Sequence, residues 1–137
     1  MRHRMLNAKI HRACVTGADL DYVGSISIDS ALMQRAGIHA HEQVAVYNLS
    51  NGARFETYAI EGTPGQICLN GAAARLAHVG DRVIVVTFVD LEADELASHE
   101  PTVLVVDDDN RPVEHLRLAD EIAGEVTADI TLGAPPR

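Results

Sequence analysis

The chain has 137 residues, of which 47% are hydrophobic and only 4% aromatic, with no tryptophan. This length and composition predict one folded domain with a modest aliphatic core, and they exclude an intrinsically disordered chain. The formal net charge of −9 and the lack of a basic stripe argue against a nucleic-acid-binding protein.

The first predicted element is a strand over residues 5–16 (MLNAKIHRACVT), which has an alternating character. Residues 18–22 (ADLDY) are turn-like. The pair Gly24-Ser25 follows, just where a buried strand should begin. Glycine adopts unusual backbone angles and serine bonds back to its own main chain, so the pair taken alone indicates a turn.

The next segment, residues 25–28 (SISI), predicts a short strand with its two isoleucines on one face and its two serines on the other. Asp29 is placed to cap a short helix, SALMQRAG, which Gly37 ends.

The clearest local signal is a hairpin over residues 42–61 (EQVAVYNLSNGARFETYAIE). Two β-prone arms flank Asn51-Gly52, the preferred pair for a two-residue turn. Alternation in the second arm separates two sets of side chains: Arg54, Glu56 and Tyr58 on one side, and Phe55, Thr57 and Ala59 on the other.

The rest of the chain predicts shorter elements up to a loose C-terminal tail that begins near Glu114. The strand over residues 81–90 (DRVIVVTFVD) is apolar enough to be buried on both faces. The other segments are a turn at 63–65, a strand at 66–70, a short helix at 93–100, a last strand at 102–106 and a polar turn at 107–112. We therefore expect one domain over 1–113 and a tail over 114–137.

A faint internal repeat supports the fold class. Residues 31–49 and 71–89 share one plan: a short helix, a glycine-containing loop, an acidic residue and a valine-rich strand. Two such units predict a small pseudo-symmetric β barrel, and the many short strands favour the same class.

Neither a serine hydrolase nor a metal site is indicated. Ser25 lacks the flanking glycines of a nucleophile elbow and has no local His/Asp partners. His39 and His41 have the spacing of a metal pair, but no further ligands complete a set, so they are interpreted as exposed loop histidines. Cys14 and Cys68 are interpreted as reduced, buried thiols.

No apolar run is long enough for a signal peptide or a membrane span, so we expect a cytoplasmic protein without a membrane partner. Lys9 and His11 point the same way in the first strand, and Arg54 and Tyr58 share a face of the hairpin. Together these side chains would suit an anionic substrate with a proton donor nearby.

Three segments, in this order and spacing, resemble the pyruvoyl-dependent aspartate decarboxylase family. They are residues 5–29 (MLNAKIHRACVTGADLDYVGSISID), 51–60 (NGARFETYAI) and 70–81 (NGAAARLAHVGD). The resemblance covers most of residues 1–90. It implies a double-psi β barrel, in agreement with the internal repeat.

The resemblance gives the Gly24-Ser25 pair a second meaning, because in this family the bond between them cleaves itself. The Ser25 hydroxyl is expected to attack the Gly24 carbonyl, and Ser25 becomes a pyruvoyl group. Thr57 and Asn70 match positions that hold or polarise the Gly24 carbonyl. The pyruvoyl ketone then binds the amine of L-aspartate as a Schiff base, so neither pyridoxal phosphate nor a metal is required.

The remaining implied site residues serve the decarboxylation of L-aspartate to β-alanine and CO2. Tyr58 matches the proton donor for the α-carbon. The substrate-binding positions are Lys9, Arg54, Thr57, Gly71, Ala72 and Ala73. His11 and Tyr22 match pocket or processing-loop positions.

The resemblance also implies a place in pantothenate biosynthesis, a homotetramer of cleaved protomers with sites between subunits, and in some members an accessory maturation protein. Two alternatives stay open from the residues alone. One is a non-catalytic β-barrel regulator, which the acidity disfavours, and the other is a family member that does not process itself.

Overall fold

The structure is a computed structural model that describes residues 1–117, with side chains described for residues 1–113. Nine strands and one α-helix account for most of this part of the chain. Their bounds are β1 (Arg2–Cys14), β2 (Gly17–Asp19), β3 (Ser25–Asp29), α1 (Ser30–Ala36), β4 (Gln43–Asn48), β5 (Arg54–Gly62), β6 (Ile67–Asn70), β7 (Arg82–Glu92), β8 (Thr102–Val106) and β9 (Pro112–Arg117), with 3₁₀ helices at Gly71–Leu76 and Ala93–Ser98.

The strands form one mixed sheet in the order β2-β6-β3-β5-β4-β7-β1-β8-β9. Most neighbours are antiparallel, whereas β1 with β8, β2 with β6 and β3 with β5 are parallel. The core is aliphatic, as the composition predicts, and its largest fully buried side chains include Ile10, Ile26, Leu69 and Leu104. This architecture confirms the predicted small, mainly β barrel.

The predicted start and end of α1 are confirmed. The Asp29 carboxylate accepts a hydrogen bond from the Ala31 backbone N–H at 2.8 Å, and Gly37 adopts the left-handed conformation with φ of 77°. The second carboxylate oxygen of Asp29 accepts from the Gly65 backbone N–H at 2.8 Å. Asp29 therefore both caps the helix and ties the β5–β6 turn to the end of β3.

The hairpin of β4 and β5 is confirmed, but its turn is longer than the predicted two residues. Tyr47 opposite Arg54 is the last cross-strand pair before the turn. The buried side chain of Asn48 organises the turn: its oxygen accepts from the Ser50 and Asn51 N–H groups, and its nitrogen donates to the Leu76 carbonyl at 3.1 Å. These bonds to a distant loop favour a wider turn than Asn-Gly alone would make.

Two short strands are missed by the sequence reasoning. The turn-like stretch after residue 16 contains β2, and the predicted last strand, β8, is followed by β9. Both form by pairing with partners already in the sheet, β6 and β8 respectively. β9 includes residues 114–117, which were predicted to be tail, while 118–137 lie outside the described residues.

The internal repeat is visible in the structure. A helical segment, α1 in one unit and the 3₁₀ helix Gly71–Leu76 in the other, precedes a glycine with positive φ and then β4 or β7. These two strands pair antiparallel. Burial of β7 on both faces holds only in its middle, where Val85, Val86 and Thr87 are buried, because Phe88 is 37% exposed.

Within residues 1–117, no helix is both long and apolar enough to cross a membrane.

Candidate active site

The Gly24-Ser25 peptide lies where the chain enters β3. Ser25 is only 1% exposed and is the first residue of that strand, opposite Asn70 at the end of β6. The Asn70 side-chain nitrogen donates a hydrogen bond to Ser25 Oγ at 2.9 Å, and the Ser25 hydroxyl donates to the Val23 carbonyl at 3.3 Å. Ser25 is therefore buried, and its hydroxyl both accepts and donates a hydrogen bond.

Gly71 packs directly against Gly24. A Cβ on Gly71 would lie 2.6 Å from the Gly24 Cα and 3.1 Å from the Tyr22 carbonyl oxygen, and the φ of Gly71 is +65°. Both the contact and the backbone angle exclude a side chain at this position. Gly71 therefore packs closely against Gly24, one of the two residues of the bond that is predicted to cleave.

The register of the sheet puts the backbone of Tyr58 near this peptide. Ile26 of β3 pairs in parallel with Ala59 of β5, so Ser25 and Tyr58 each come immediately before the first paired residue of their strand. Neighbouring strands lie about 4.8 Å apart, so the Tyr58 backbone is close to that of Ser25. Side chains alternate along β5, and Tyr58 is 36% exposed on the face opposite to Thr57.

The other residues predicted near this peptide have mixed exposure. Tyr22 is 51% exposed in the loop before Gly24. Ala72 is exposed and Ala73 is 9% exposed, and both lie in the 3₁₀ helix that begins at Gly71.

Three predicted site residues lie elsewhere in the same chain. Lys9 and His11 are half-buried on β1, which is four strands from β3 in the sheet order. Arg54 is four residues before Tyr58 on β5, about 13 Å along the strand at ~3.3 Å per residue. β1 pairs with β7 and β8, and not with β3.

Arg54 is held by an aromatic ring. Its guanidinium carbon lies 3.8 Å from the centroid of the Tyr47 ring, the residue directly opposite on β4. This cation–π contact covers one face of the guanidinium and leaves its N–H edge available for a carboxylate. The side chain lines a groove of about 550 Å³ on the outer face of the sheet, together with Arg4, Gln43 and Phe88.

Comparison with known proteins identifies the family of the chain. A model of the aspartate decarboxylase family matches residues 1–113. The chain belongs to the aspartate decarboxylase family. It is 54% identical over 114 residues to the aspartate 1-decarboxylase of Syntrophotalea carbinolica, covering 82% of this chain and 87% of that protein.

Other family members are similarly close. The aspartate 1-decarboxylase of Neisseria meningitidis is 54% identical over 113 residues, covering 81% of this chain and 89% of that protein. That of Caldicellulosiruptor bescii is 52% identical over 119 residues, covering 85% and 91%. Membership in this decarboxylase family assigns the chain to the carboxy-lyases.

The cysteines of this decarboxylase-family chain differ from their prediction. Cys14 and Cys68 are free thiols, but both are half-buried rather than buried. Burial, followed by the nearby Asp19 carboxylate, raises the pKa of Cys68. His39 and His41 are exposed in the loop before β4, as predicted.

Sequence reasoning missed three residues that contact the site. Ser27 and Cys68 both hydrogen-bond to the Asn70 amide, and Tyr47 holds Arg54. A signal was present, because Ser27 and Cys68 each lie two residues from a predicted site residue on a strand and so share its face. Their mutual contact depends on the pairing of β3 with β6, which the sequence does not specify.

Proposed function

We propose that the chain cleaves itself between Gly24 and Ser25 and then converts L-aspartate to β-alanine and CO2 with a pyruvoyl group made from Ser25. One observation carries the proposal. The buried Ser25 hydroxyl accepts a hydrogen bond from Asn70 at 2.9 Å, while Gly71 packs against Gly24 at a distance that no side chain would permit. These contacts hold the two residues whose bond the proposal breaks.

The cleavage needs only the chain's own atoms and water. Ser25 Oγ bonds to the Gly24 carbonyl carbon, the C–N bond to Ser25 breaks, and the hydroxyl proton passes to that nitrogen. The resulting ester then loses the Ser25 Cα proton and breaks its Cβ–O bond, which frees the Gly24 carboxylate. Water replaces the remaining nitrogen, and ammonia leaves. We propose that Thr57, two residues before Ala59 on β5, holds the carbonyl during the attack.

The surroundings of Ser25 suit the group that would form there. The Asn70 amide nitrogen is a donor for a carbonyl oxygen, and the glycine at 71 leaves room beside position 24. The pyruvoyl ketone supplies the electron sink for decarboxylation, in the role that pyridoxal has in other enzymes. Among residues 1–113, no group of three or more His, Cys, Asp or Glu side chains could hold a metal.

The distances within one chain favour a site shared between subunits. Tyr58 lies on β5 next to β3, but β1, which carries Lys9, is four strands from β3, and Arg54 is four residues before Tyr58 on β5. We therefore propose a homotetramer in which one subunit supplies Ser25 and Tyr58, and a neighbour supplies Lys9 and Arg54 to the substrate carboxylates.

Mixing two inactive variants tests the shared site. Arg54→Ala and Ser25→Ala subunits assembled together are expected to regain part of the wild-type activity, because some sites then combine an intact Ser25 with an intact Arg54 from the neighbour. The measurement is β-alanine formation by the mixed assembly, with each variant alone as the control. Activity no higher than the sum of the two separate preparations, or a fully active monomer in sedimentation, would contradict it.

Comparing wild type with Arg54→Lys tests the assignment of L-aspartate as the substrate. Wild type should release β-alanine and CO2 in equal amounts from L-aspartate. Arg54→Lys keeps the positive charge but loses the planar fork that binds a carboxylate with two parallel hydrogen bonds. We expect its kcat/KM to fall about ten- to a hundredfold, the range for losing one charged hydrogen bond.

Self-cleavage should stay intact in Arg54→Lys, because Arg54 lies far along β5 from the Gly24-Ser25 bond. Arg35→Lys, at the end of α1, is a control that should change neither property. Equal aspartate turnover by Arg54→Lys and wild type would remove Arg54 from substrate binding.

The proposal includes a cytoplasmic location and a role in pantothenate biosynthesis. Two free cysteines suit a reducing compartment. Purified protein that cleaves only after a cell extract is added would identify an accessory maturation protein.

A further inference from the structure

The side-chain amide of Asn70 forms hydrogen bonds with three other side chains. Its nitrogen donates to Ser25 Oγ at 2.9 Å and to Ser27 Oγ at 3.1 Å, and its oxygen accepts from the Cys68 thiol at 3.4 Å. These residues share one face of the sheet, since Asn70 opposes Ser25 and Cys68 opposes Ser27 in the register of β3 and β6. Both amide protons and the amide oxygen are thus engaged.

The partners decide which way the amide faces. The Ser25 hydroxyl has one proton and donates it to the Val23 carbonyl at 3.3 Å, so Ser25 can only accept from Asn70. The Cys68 thiol has a proton to give to an oxygen. Turning the amide over would require the Ser25 hydroxyl to give up its bond to Val23 and would set the amide nitrogen against the Cys68 thiol, so the nitrogen faces Ser25.

The thiol of Cys68 is suited to this contact. Burial, followed by the carboxylate of Asp19, raises its pKa, so it keeps its proton at neutral pH and remains a donor. On the other side, Gly17 of β2 is its register partner, and a Cβ there would lie 3.0 Å from Sγ. The bare glycine leaves the space that the thiol occupies.

We propose that Cys68 and Ser27 are positioning residues for self-cleavage, which hold the Asn70 amide with its nitrogen toward Ser25. This inference rests on the proposed cleavage at Gly24-Ser25. A donor fixed on Oγ sets the rotamer of Ser25 and stabilises the negative charge that develops as the hydroxyl proton leaves. Without Cys68 or Ser27, the amide is free to rotate and spends less time in that orientation.

The test is the rate of self-cleavage at constant temperature, followed by intact mass from freshly purified, uncleaved chains. Cys68→Ala and Ser27→Ala should each cleave about three- to tenfold more slowly than wild type, as expected for losing one hydrogen bond. Cys68→Ser retains a donor and should cleave faster than Cys68→Ala. Cys14→Ala removes the other half-buried thiol, whose sulfur contacts the Val15 carbonyl, and should not change the rate.

Action through Asn70 makes a further prediction that a loss of stability would not. Adding Cys68→Ala to Asn70→Ala should slow cleavage no further than Asn70→Ala alone, because the group that Cys68 positions is already gone. Additive slowing, equal rates for Cys68→Ala and wild type, or Cys68→Ser as slow as Cys68→Ala would overturn the inference.

Two outcomes separate this inference from the proposed function. A wild-type chain that never cleaves would overturn self-cleavage and the inference with it. A wild type that cleaves at the same rate as Cys68→Ala and Ser27→Ala would overturn the inference alone. Should Cys68→Ala fail to fold, as judged by thermal melting, the Ser27→Ala rate decides the matter by itself.

Discussion

Replacing Ser25 with alanine is expected to leave the chain in one piece and to abolish the decarboxylation of L-aspartate. The substitution removes Oγ, which is both the attacking atom in the cleavage and the atom whose departure creates the pyruvoyl group. It also removes the hydrogen bonds of Oγ with Asn70 and Val23, but alanine fits the buried space of Ser25. The measurements are a denaturing gel after prolonged incubation and an assay for β-alanine.

Ser30→Ala is a suitable control for this variant, because Ser30 is exposed at the start of α1 and should cleave and turn over normally. Thermal melting should show that Ser25→Ala is folded. Efficient decarboxylation by a folded Ser25→Ala protein would contradict the origin of the cofactor.

The second large effect is expected for Tyr58→Phe. Loss of CO2 leaves an electron pair on the α-carbon, which must accept a proton before β-alanine can leave. Tyr58 immediately precedes the residues of β5 that pair with β3, and its phenol is an O–H donor of the kind that general acid catalysis uses. Phenylalanine keeps the ring and removes only the proton.

Turnover by Tyr58→Phe should fall by roughly 10²-fold or more, the scale for a lost general acid, while cleavage and aspartate binding stay intact. The measurement is kcat on fully cleaved protein. Tyr47→Phe is the matched control, since its ring still stacks on Arg54 and its activity should stay near that of wild type. Near-normal turnover by Tyr58→Phe would show that another group, or water, delivers the proton.

Local sequence patterns correctly predicted the elements that depend only on residues close together in the chain. Asp29 and Gly37 bound α1 because one side chain and one backbone angle suffice, and alternation placed Arg54 and Tyr58 on one exposed face of β5. The resemblance supplied the site residues, and the structure brings Asn70 against Ser25 and Gly71 against Gly24.

Features that depend on distant partners were not predictable. β2 is a strand because Gly17 lies beside Cys68, about fifty residues along the chain. The turn after Asn48 is long because its side chain bonds to Leu76 and Asp81. Cys68 was interpreted as a reduced, buried thiol, because its contact with the Asn70 side chain across from Ser25 depends on the pairing of β6 with β3.

Membership in a decarboxylase family argues against the non-catalytic alternative. A family member that does not process itself would keep the bond between Gly24 and Ser25. The mass of the purified protein distinguishes such an uncut chain from two cleaved chains.

The intact mass of purified wild-type protein, before and after warming, tests self-cleavage most directly. We expect two chains, residues 1–24 ending in a free carboxylate and residues 25–137 lighter than a serine-initiated fragment by one ammonia molecule. That deficit distinguishes a pyruvoyl end from simple hydrolysis. A single chain with the full mass after prolonged warming, in a preparation that still forms β-alanine from L-aspartate, would contradict the account.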